Sequence, residues 1–481
     1  MAFQKGQKKK PGRVRTRIAP SPTGPLHIGT ARSALFNYLF AKQNKGDFIL
    51  RIEDTDLERS DKRFEKDIID SLTWLNIEWA KEPCRQSERI EIYTRYLERL
   101  FKDGKAFWCP HTKEDLAREK EEQMKRKEAP RHECEYKKKP VSHEIKNKKE
   151  IIRLDTQKKV VEFNDLIRGE IKFDTFLLGD IVIAKDEKTP LYNFAVVIDD
   201  FEMEISHVIR GEDHISNTPK QILIQEALGI DQRPYYAHLP LVLGPDRSKL
   251  SKRHTSVSVT EYHKAGYLSE AIVNFMALLG WNPGTEQEIF SLEELIKKFD
   301  LKRVQKGGAI FNINRLNWLN AVYIRKKSPK ELANLILEEG FLRPDKEFKK
   351  DYIEKVIALE QTRLEKLSEI GERTEYFFTE PKYPKALLQW QGKQSFEEIQ
   401  THLDKISDLI LNIKPTQFTK EHIKSVIWPY AEERGRGNIL WPLRVSLTGQ
   451  VKSPDPFEIA EILGKEKTLK RIQAAVDLLN D

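Results

Sequence analysis

The sequence predicts an α/β protein with a doubly wound, parallel sheet in its first part and an all-helical C-terminal third. Three observations lead to this fold class. Strand and helix signals alternate over residues 14–56, the pattern changes between about 107 and 190, and strand signals fade past about 325. Alternating strands and helices are typical of a parallel sheet, whose ligands bind outside the carboxyl ends of the strands.

The bulk composition sets the limits of this prediction. The chain has 481 residues, 39% apolar and 33% charged, so we expect two or more domains with a solvated surface. No apolar run approaches about 18 residues, and we expect no membrane partner. A net charge of +8 permits a polyanionic partner but does not establish one. Three cysteines cannot form a disulfide framework and fit a reducing cytoplasm.

The first elements follow from hydrophobic periodicity. Residues 14–19 and 47–53 have strand patterns, and residues 30–42 between them are rich in Ala, Leu, Phe and Tyr and predict a helix. Phe64, Ile68, Leu72 and Leu75 then recur at helical spacing. These elements form the first half of the predicted sheet.

The segment from 107 to 190 departs from that pattern. A highly charged helical stretch at 113–127 is followed by apolar–polar alternation at 151–154 and 160–163, and by a predicted strand at 177–184. We interpret the segment as an insertion. The second half of the sheet is expected to resume near Tyr192, with 239–243 as a strand that leads into a lysine-rich loop.

The C-terminal third is predicted to be a helical bundle. Amphipathic helical patterns cover residues 332–342, 353–370, 396–413 and 457–477. On its own, a basic helical region of this kind is compatible with a solvated bundle as well as with a binding surface.

Two cationic elements lie far apart in sequence. His27-Ile-Gly29 opens the first helix, where small residues and backbone N–H groups favour a phosphate. Lys249 and Lys252 lie in the run 249–253 and supply ammonium groups. Two such elements closing on one nucleotide would stabilise the charge that develops on the phosphoryl oxygens during adenylyl transfer.

These runs resemble the HIGH and KMSKS signatures of class I aminoacyl-tRNA synthetases. The fuller string at 17–24, together with segments at 51–56, 192–199, 207–214 and 308–312, resembles bacterial glutamyl-tRNA synthetase. The resemblance implies a Rossmann-type catalytic domain with an inserted connective domain, followed by an anticodon-binding region. It implies ATP and Mg²⁺, L-glutamate and tRNA(Glu), and we expect a cytoplasmic monomer.

The resemblance also implies a division of the chain. We expect a disordered basic leader at 1–12, the two halves of the catalytic domain at 13–106 and 191–255, and an acceptor-end-binding insertion at 107–190. A stem-contact region at 256–325 and a helical anticodon-binding domain at 326–481 would complete the chain.

Glutamate brings two carboxylates and one ammonium group to its site. Arginine binds a planar carboxylate bidentately, and the motif segments offer Arg17 and Arg210. Which arginine takes which carboxylate stays open, and pairing of Arg210 with Glu212 or Asp213 is a rival interpretation. The resemblance assigns further residues to the glutamate site: Ala19, Ser21, Glu53 and Tyr192, with Ser21 and Glu53 for the ammonium group and a hydroxyl from Tyr192.

The ATP site follows from the same segments. His27 should donate to a phosphate, Gly29 should let the nucleoside pack against the helix, and Lys249 and Lys252 should reach the α- and β-phosphates. Ser251 is small enough to let the loop close. The resemblance adds Pro20 and Thr23 to this set.

Four residues of the insertion suggest a metal. Cys109 and His111 form one close pair, and His132 and Cys134 form a second. Two such pairs suit tetrahedral zinc, which some relatives carry in this region with a different ligand order. The alternative is a metal-free hairpin.

Arg363 aligns with an arginine that many discriminating relatives use to read the last anticodon base, and the alternative is an arginine on a solvated helix face. A non-discriminating enzyme that also charges tRNA(Gln) is the nearest rival function. Glutaminyl-tRNA synthetase is less favoured, because that family carries Pro-Glu-Pro-Asn where this chain has Pro20-Ser-Pro-Thr23.

Two further classes fit less well. A small-molecule nucleotidyltransferase has no use for the helical third, and a pure RNA-binding protein would not need two arginines and a carboxylate beside a nucleotide loop.

Overall fold

A computed structural model describes residues 13–56, 58–138, 151–251 and 258–480. The chain forms two compact units. The first comprises Met1–His263 and Ser269–Ile313, and the second comprises Lys264–Leu268 and Asn314–Asp481. Among the described residues, none of the helices combines the length and the apolar character that a membrane crossing requires.

The first unit begins with a parallel sheet. Strands β1 (Arg15–Ile18), β2 (Asp47–Ile52) and β3 (Cys84–Arg85) lie in the order β1-β2-β3. The connecting helices are Ile28–Gln43, Lys62–Trp74 and Ile90–Lys102. The first of these helices buries almost its whole length, which explains its rich content of Ala, Leu and Phe.

The insertion contributes an antiparallel sheet and a hairpin. Strands β4 (Ala106–Cys109), β5 (Ile151–Leu154), β8 (Val182–Asp186) and β9 (Thr189–Pro190) form the sheet, and β6 (Val160–Asp165) and β7 (Gly169–Asp174) form the hairpin. The charged helix is Lys113–Lys125. The strand predicted at 177–184 is wrong in its first half, because Thr175–Leu178 is a 3₁₀ turn and Gly179 adopts a φ of +63° that ends it.

The second half of the nucleotide fold starts with a helix. Tyr192–Glu202 is helical, and the strands that follow are β10 (His207–Gly211) and β11 (Tyr235–Leu239), which are parallel and joined by the helix Thr218–Ala227. The backbone N–H of Ser206 donates to the Arg15 carbonyl oxygen, so β10 begins beside β1. The strands thus run β3-β2-β1-β10-β11, and the direction of winding reverses between β1 and β10. A reversal of this kind is where doubly wound sheets bind ligands.

The predicted single strand at 239–243 is two strands. β11 ends at Leu239, Pro240 interrupts the ladder because it has no N–H, and β12 (Val242–Leu243) pairs with β13 (Ala309–Ile310). The remaining helices of the first unit are Val259–Lys264, which continues into the second unit, Ser269–Leu278 and Leu292–Lys298.

The second unit is helical throughout its described residues. Its helices are Ile313–Lys326, Pro329–Glu338, Lys350–Glu360, Ile370–Phe378, Phe396–Leu411, Lys420–Arg434, Arg436–Thr448, Pro456–Leu463 and Lys465–Asn480. The apolar faces of the helices from Lys350–Glu360 onward share one core of aliphatic and aromatic residues. The predicted fold class, an α/β part followed by a helical region, is confirmed.

Two predicted helices of this unit are interrupted. The helix predicted over 353–370 ends at Glu360 and is followed by 3₁₀ turns at Gln361–Arg363 and Leu367–Glu369. Leu364 and Lys366 between these turns are extended, and the buried Asn320 amide donates to the Glu365 carbonyl oxygen at 2.6 Å. The helix predicted over 457–477 breaks at Gly464, whose φ is +81°. Helices Lys420–Arg434 and Arg436–Thr448 were not predicted, and each contains an internal proline.

Candidate active site

A cleft of about 690 Å³ opens at the carboxyl ends of β1 and β10. It lies at the reversal of the sheet, where the N-terminal end of helix Ile28–Gln43 also points. The predicted glutamate and ATP residues that line it are Arg17, Ala19, Pro20, Ser21, Thr23, His27, Gly29, Glu53, Tyr192, Arg210 and Lys249. Ser251 adjoins the lining residue Leu250, and Lys252 lies outside the described residues.

Arg17 is held by a carboxylate on the opposite half of the fold. Its Nε and Nη2 donate to the two carboxylate oxygens of Asp200 at 3.1 and 3.5 Å. Burial alone would raise the pKa of Asp200, but Arg17 and Arg51 outweigh burial and hold that pKa below its ordinary value. Arg17 therefore has a fixed orientation and a carboxylate partner, and among the described residues its Nη1 makes no hydrogen bond, so Nη1 is available to a ligand.

Arg51 forms the centre of this ion-pair network. Its fully buried guanidinium donates to Asp200 at 2.8 Å and to Glu53 at 3.2 Å, and its Nε lies 3.8 Å from Asp199. Although burial disfavours the cation, the three carboxylates raise the pKa of Arg51 above its ordinary value. Because Arg17 also pairs with Asp200 and Arg89 pairs with Asp199 at 2.8 Å, the charges of this network are balanced.

Glu53 is the member of the network that lines the cleft. Its exposed fraction is only 7%, so Glu53 is a buried carboxylate and not a surface one. Burial raises the pKa of Glu53, and the neighbouring Arg51 and Arg17 partly oppose that rise. A carboxylate in this position is suited to receive a cationic group from a ligand.

Arg210 is held differently, by neutral groups. Its Nε lies 3.2 Å from Nε2 of His238, and its Nη2 donates to Thr218 Oγ1 and Gln221 Oε1, both at 2.9 Å. Its Nη1 is buried and has no hydrogen-bond partner among the described residues. Burial lowers the pKa of Arg210. Because a buried charge without a partner is costly, the arrangement favours an anionic ligand.

The rival pairing of Arg210 with neighbouring carboxylates does not occur. Glu212 forms an ion pair with Arg168 and accepts the backbone N–H of Leu241. Asp213 instead accepts a hydrogen bond from Lys249 at 3.2 Å. Both carboxylates thus have partners other than Arg210.

Tyr192 meets a neutral histidine beside Arg210. The Tyr192 hydroxyl lies 3.3 Å from Nδ1 of His214, which the Asn217 amide also approaches at 3.3 Å. Burial, followed by the charge of Arg210, lowers the pKa of His214 to about 4. His214 is consequently uncharged at neutral pH, and the positive charge beside it is that of Arg210.

His27 caps the first helix. Its Nδ1 accepts the backbone N–H of Gly29 at 3.0 Å, which places the ring proton of the neutral imidazole on Nε2. Burial, and then the charge of Lys249, lowers the pKa of His27. His27 therefore offers an Nε2–H donor at a helix N-terminus, where backbone N–H groups also attract an anion.

A second cluster lies in the insertion and brings the four predicted metal ligands together. Their ligand atoms all lie within 4.8 Å of one another. Cys109 Sγ is 3.5 Å from both His111 Nδ1 and His132 Nε2, and Cys134 Sγ is 3.7 Å from His111 Nδ1. Zinc bonds of about 2.3 Å to sulfur and about 2.0 Å to nitrogen, at tetrahedral angles, put such atoms about 3.5 Å apart. The residues fit zinc.

The surroundings of the cluster also suit a metal. His132 Nδ1 lies 2.5 Å from a carboxylate oxygen of Glu119. A carboxylate on the second nitrogen of a ligating imidazole fixes its tautomer and orientation. The three cysteines of the chain are free, and Cys109 and Cys134 are buried.

Arg363 lies in the helical unit, just after helix Lys350–Glu360. Its Nη1 donates to both carboxylate oxygens of Glu360, at 3.0 and 3.1 Å, and its side chain is about a third exposed, at 32%. Glu360 is almost fully buried, and burial raises its pKa. Arg363 is therefore a tethered residue and not a freely solvated one.

Several residues of the cleft were missed from the sequence. Asp213 and His214 line it, whereas Asp199, Asp200 and His238 lie behind it and contact its arginines. Asp199 and Asp200 gave a signal, since two consecutive carboxylates at the end of an apolar helical run need cationic partners when buried. Arg51 stood in a recognised segment, yet its role follows only from the ion pairs.

Comparison with known proteins agrees with this geometry. The family model for class I tRNA synthetases (E and Q), catalytic domain, matches residues 13–318. The model for an anticodon binding domain matches residues 330–476.

Full-length relatives extend the match. The chain is 41% identical to glutamate–tRNA ligase of Desulforamulus reducens, over 96% of this chain and 99% of the relative. It is 43% identical to glutamate–tRNA ligase 1 of Caldicellulosiruptor saccharolyticus, over 96% and 98%. A glutamate tRNA ligase of Elizabethkingia meningosepticum, crystallised with its amino acid, superposes with a TM-score of 0.85 at 34% identity, over 97% of this chain and 99% of that one. The chain therefore belongs to the glutamate–tRNA ligase family of class I aminoacyl-tRNA synthetases.

Proposed function

We propose that the protein activates L-glutamate with ATP and transfers the glutamyl group to the terminal adenosine of tRNA(Glu). The observation that carries the proposal is Arg210, a buried guanidinium that lines the cleft and has no carboxylate partner among the described residues. Glutamate supplies the missing anion. The relatives' names and the family's use of ATP support the same reaction.

The walls of the cleft divide the work of binding glutamate. Arg210 and the Tyr192 hydroxyl receive one carboxylate, and Nη1 of Arg17 is available for the other. Glu53, with Ser21, receives the ammonium group, because Glu53 is the carboxylate of the Arg51 network that lines the cleft. Ala19 contributes to the lining beside them.

The nucleotide occupies the end of the cleft near the first helix. Pro20, Thr23 and Gly29 line that end, and the Nε2–H of His27 donates to a phosphate oxygen. When ATP binds, Lys249 releases the Asp213 carboxylate and contacts the phosphates, which carry more negative charge than one carboxylate. Lys252, which lies outside the described residues, and Ser251 complete the lysine loop as the sequence predicts.

The reaction then proceeds in two steps. An oxygen of the α-carboxylate attacks the α-phosphorus of ATP, and pyrophosphate leaves with the electrons of the broken P–O bond. The 2′-hydroxyl of the terminal adenosine next attacks the acyl carbon, its proton is lost, and AMP leaves. No nucleophilic side chain is needed, since positioning and fixed charges lower both barriers.

Two metals accompany this proposal. Mg²⁺ arrives with ATP and neutralises phosphate charge. Cys109, His111, His132 and Cys134 would hold a structural zinc, whose role is to stabilise the insertion that positions the acceptor end.

The tRNA partner is selected at the other end of the chain. We infer that Arg363, oriented by Glu360, reads the last anticodon base, as single-stranded bases are read at their edges. The nearest alternative is an enzyme that also charges tRNA(Gln), and we place the reaction in the cytoplasm, where free cysteines persist.

Charging assays test the proposal. The purified protein, ATP, Mg²⁺ and tRNA should incorporate glutamate, and ATP–pyrophosphate exchange should depend on tRNA. A parallel assay with glutamine and with tRNA(Gln) distinguishes the alternatives. Charging by glutamine alone, or no charging at all, would refute the proposal. Lys252→Ala should slow adenylate formation by about a hundredfold while leaving glutamate binding unchanged.

A further inference from the structure

A buried pair, Asp165 and His238, lies directly behind Arg210. His238 Nδ1 is 2.6 Å from Oδ2 of Asp165, and Nε2 of the same ring is 3.2 Å from Nε of Arg210. His238 and Asp165 are fully buried. The chain of contacts leads from a carboxylate, through an imidazole, to the guanidinium that lines the cleft.

We propose that Asp165 and His238 are positioning residues that fix the orientation of Arg210 and thereby set the affinity for glutamate. The inference rests on the proposed function, because it takes Arg210 as a carboxylate-binding residue. Neither residue lines the cleft, so each would act through Arg210.

The contact between His238 and Arg210 depends on the tautomer of the imidazole. Arg210 can only donate, so Nε2 of His238 must be an acceptor, and the ring proton must lie on Nδ1. The Asp165 carboxylate accepts that proton as a hydrogen bond and excludes the other tautomer. A protonated imidazole would instead point Nε2–H at the guanidinium. Burial, and to a smaller extent the charge of Arg210, lower the pKa of His238 and so favour the neutral ring.

The carboxylate is itself fixed by its loop. Oδ1 of Asp165 accepts the backbone N–H groups of Ile167 at 3.0 Å and Arg168 at 2.8 Å. With one oxygen committed to the loop and the other to His238, the side chain has no freedom to rotate. The pair also reaches across the fold, because Asp165 ends β6 of the insertion and pairs in register with Tyr236 of β11.

This arrangement explains how Arg210 can be rigid without a direct counter-ion. Thr218 and Gln221 occupy Nη2, His238 occupies Nε, and Nη1 is left for the ligand. A carboxylate in direct contact with Arg210 would compete with glutamate. Because the His238 imidazole separates Asp165 from Arg210, the Asp165 carboxylate fixes the orientation of Arg210 and leaves its positive charge available to glutamate.

Asp165→Asn tests the tautomer. When the Asn carbonyl oxygen keeps the loop N–H groups, its amide NH₂ faces Nδ1 and forces the ring proton onto Nε2, against Arg210. We expect the KM for glutamate to rise by about 10- to 100-fold, since hydrogen bonds to charged groups are worth that much. The KM for ATP should stay within about twofold of the parent. Both are measured in tRNA charging by the full-length protein.

His238→Gln and His238→Phe separate positioning from packing. Glutamine can present its amide oxygen to Arg210 and its NH₂ to Asp165, and should keep the glutamate KM within about threefold of the parent. Phenylalanine fills the space without an acceptor and should raise that KM by about 10- to 100-fold. Tyr236→Phe is the matched control, because the hydroxyl of this buried residue of β11 lies within hydrogen-bond distance of Gln225 and makes no hydrogen bond to Arg210, Asp165 or His238 among the described residues.

The outcomes are separable. A glutamate KM within threefold of the parent in folded Asp165→Asn and His238→Phe, or an equal rise in the KM for ATP, would overturn the positioning role. If Asp165→Asn does not fold, the His238 pair decides the question alone. Arg210→Ala identifies the source of a negative result: an unchanged glutamate KM in that variant rejects the proposed glutamate site itself.

Discussion

The two walls of the cleft hold their arginines in opposite ways. On the β1–β2 wall, Arg17 and Arg51 meet Asp200 and Glu53 at 2.8 to 3.2 Å. On the β10–β11 wall, Arg210 meets a neutral imidazole, a hydroxyl and an amide. On the first wall, carboxylates of the protein balance the positive charges of the arginines. On the second wall, the positive charge of Arg210 has no carboxylate partner among the described residues.

The arginines of the two walls therefore have different roles. A balanced network keeps its geometry with or without a ligand and provides a rigid frame. A buried guanidinium without a carboxylate partner raises the energy of the empty site, because no ion pair offsets the cost of removing its charge from water. The carboxylate of a bound ligand offsets that cost, so we expect most of the binding energy to come from contacts with Arg210.

The largest effect is expected from Arg210→Ala. Removing one partner of a buried charge pair costs about 2–5 kcal/mol, so kcat/KM for glutamate should fall by at least about thirtyfold. Thermal stability should change little or rise, since the empty site loses an unpaired charge. Steady-state charging and a melting curve measure the two quantities, and a fall in stability with unchanged kcat/KM would reverse the assignment of the two walls.

Arg17→Ala should show the opposite balance. Asp200 loses its two hydrogen bonds to Arg17 and keeps only Arg51, so we expect the free energy of unfolding to fall by about 1–3 kcal/mol. The effect on glutamate KM should be smaller than that of Arg210→Ala. Denaturant unfolding compares the variants, and equal effects on KM from both would remove the distinction between the walls.

Removal of zinc tests a region remote from both walls. The purified protein should contain about one equivalent of zinc, and Cys134→Ser should lose it. The KM for ATP should not change, because the cluster lies outside the cleft. Cys84→Ser serves as the matched control, since Cys84 is not in the cluster. If elemental analysis finds no zinc in the parent protein prepared without chelator, this prediction is wrong.

The amino-terminal end of β10, away from the cleft, gives the stability of the protein a pH signature. Burial lowers the pKa of His207, at the start of β10, to about 4. Between pH 6.5 and about 4 the unfolded state therefore binds more protons than the folded state, so stability falls as pH decreases. His207→Gln should flatten that slope by up to about 1.4 kcal/mol per pH unit. Unfolding curves at several pH values measure it, and an unchanged slope would show that the pKa of the partly buried His207 is not lowered.

Arg363→Gln should have the smallest effect on the cleft. Charging of tRNA(Gln) should increase relative to tRNA(Glu), while the KM for glutamate and for ATP stays unchanged, because the residue acts on the anticodon. A parent protein that already charges both tRNAs equally would show that Arg363 does not discriminate.

The sequence predicted the fold class, and it predicted which motif residues line one cleft. Those residues stand in short local segments, whose spacing is visible along the chain. The pairings were not visible. Arg17 and Asp200 are 183 positions apart, and His238 and Asp165 are 73 apart, so their contacts depend on sheet order. The helix predicted over 353–370 failed for a related reason, since Asn320 holds its extended segment from a distant helix.

A crystal structure of the protein with L-glutamate tests the unequal walls most directly. We expect a carboxylate oxygen of the ligand within hydrogen-bond distance of Nη1 of Arg210, with the Arg17–Asp200 and Arg51–Glu53 pairs unchanged. Glutamate bound with both carboxylates away from Arg210, or a broken Arg17–Asp200 pair with Asp200 turned from the cleft, would contradict it.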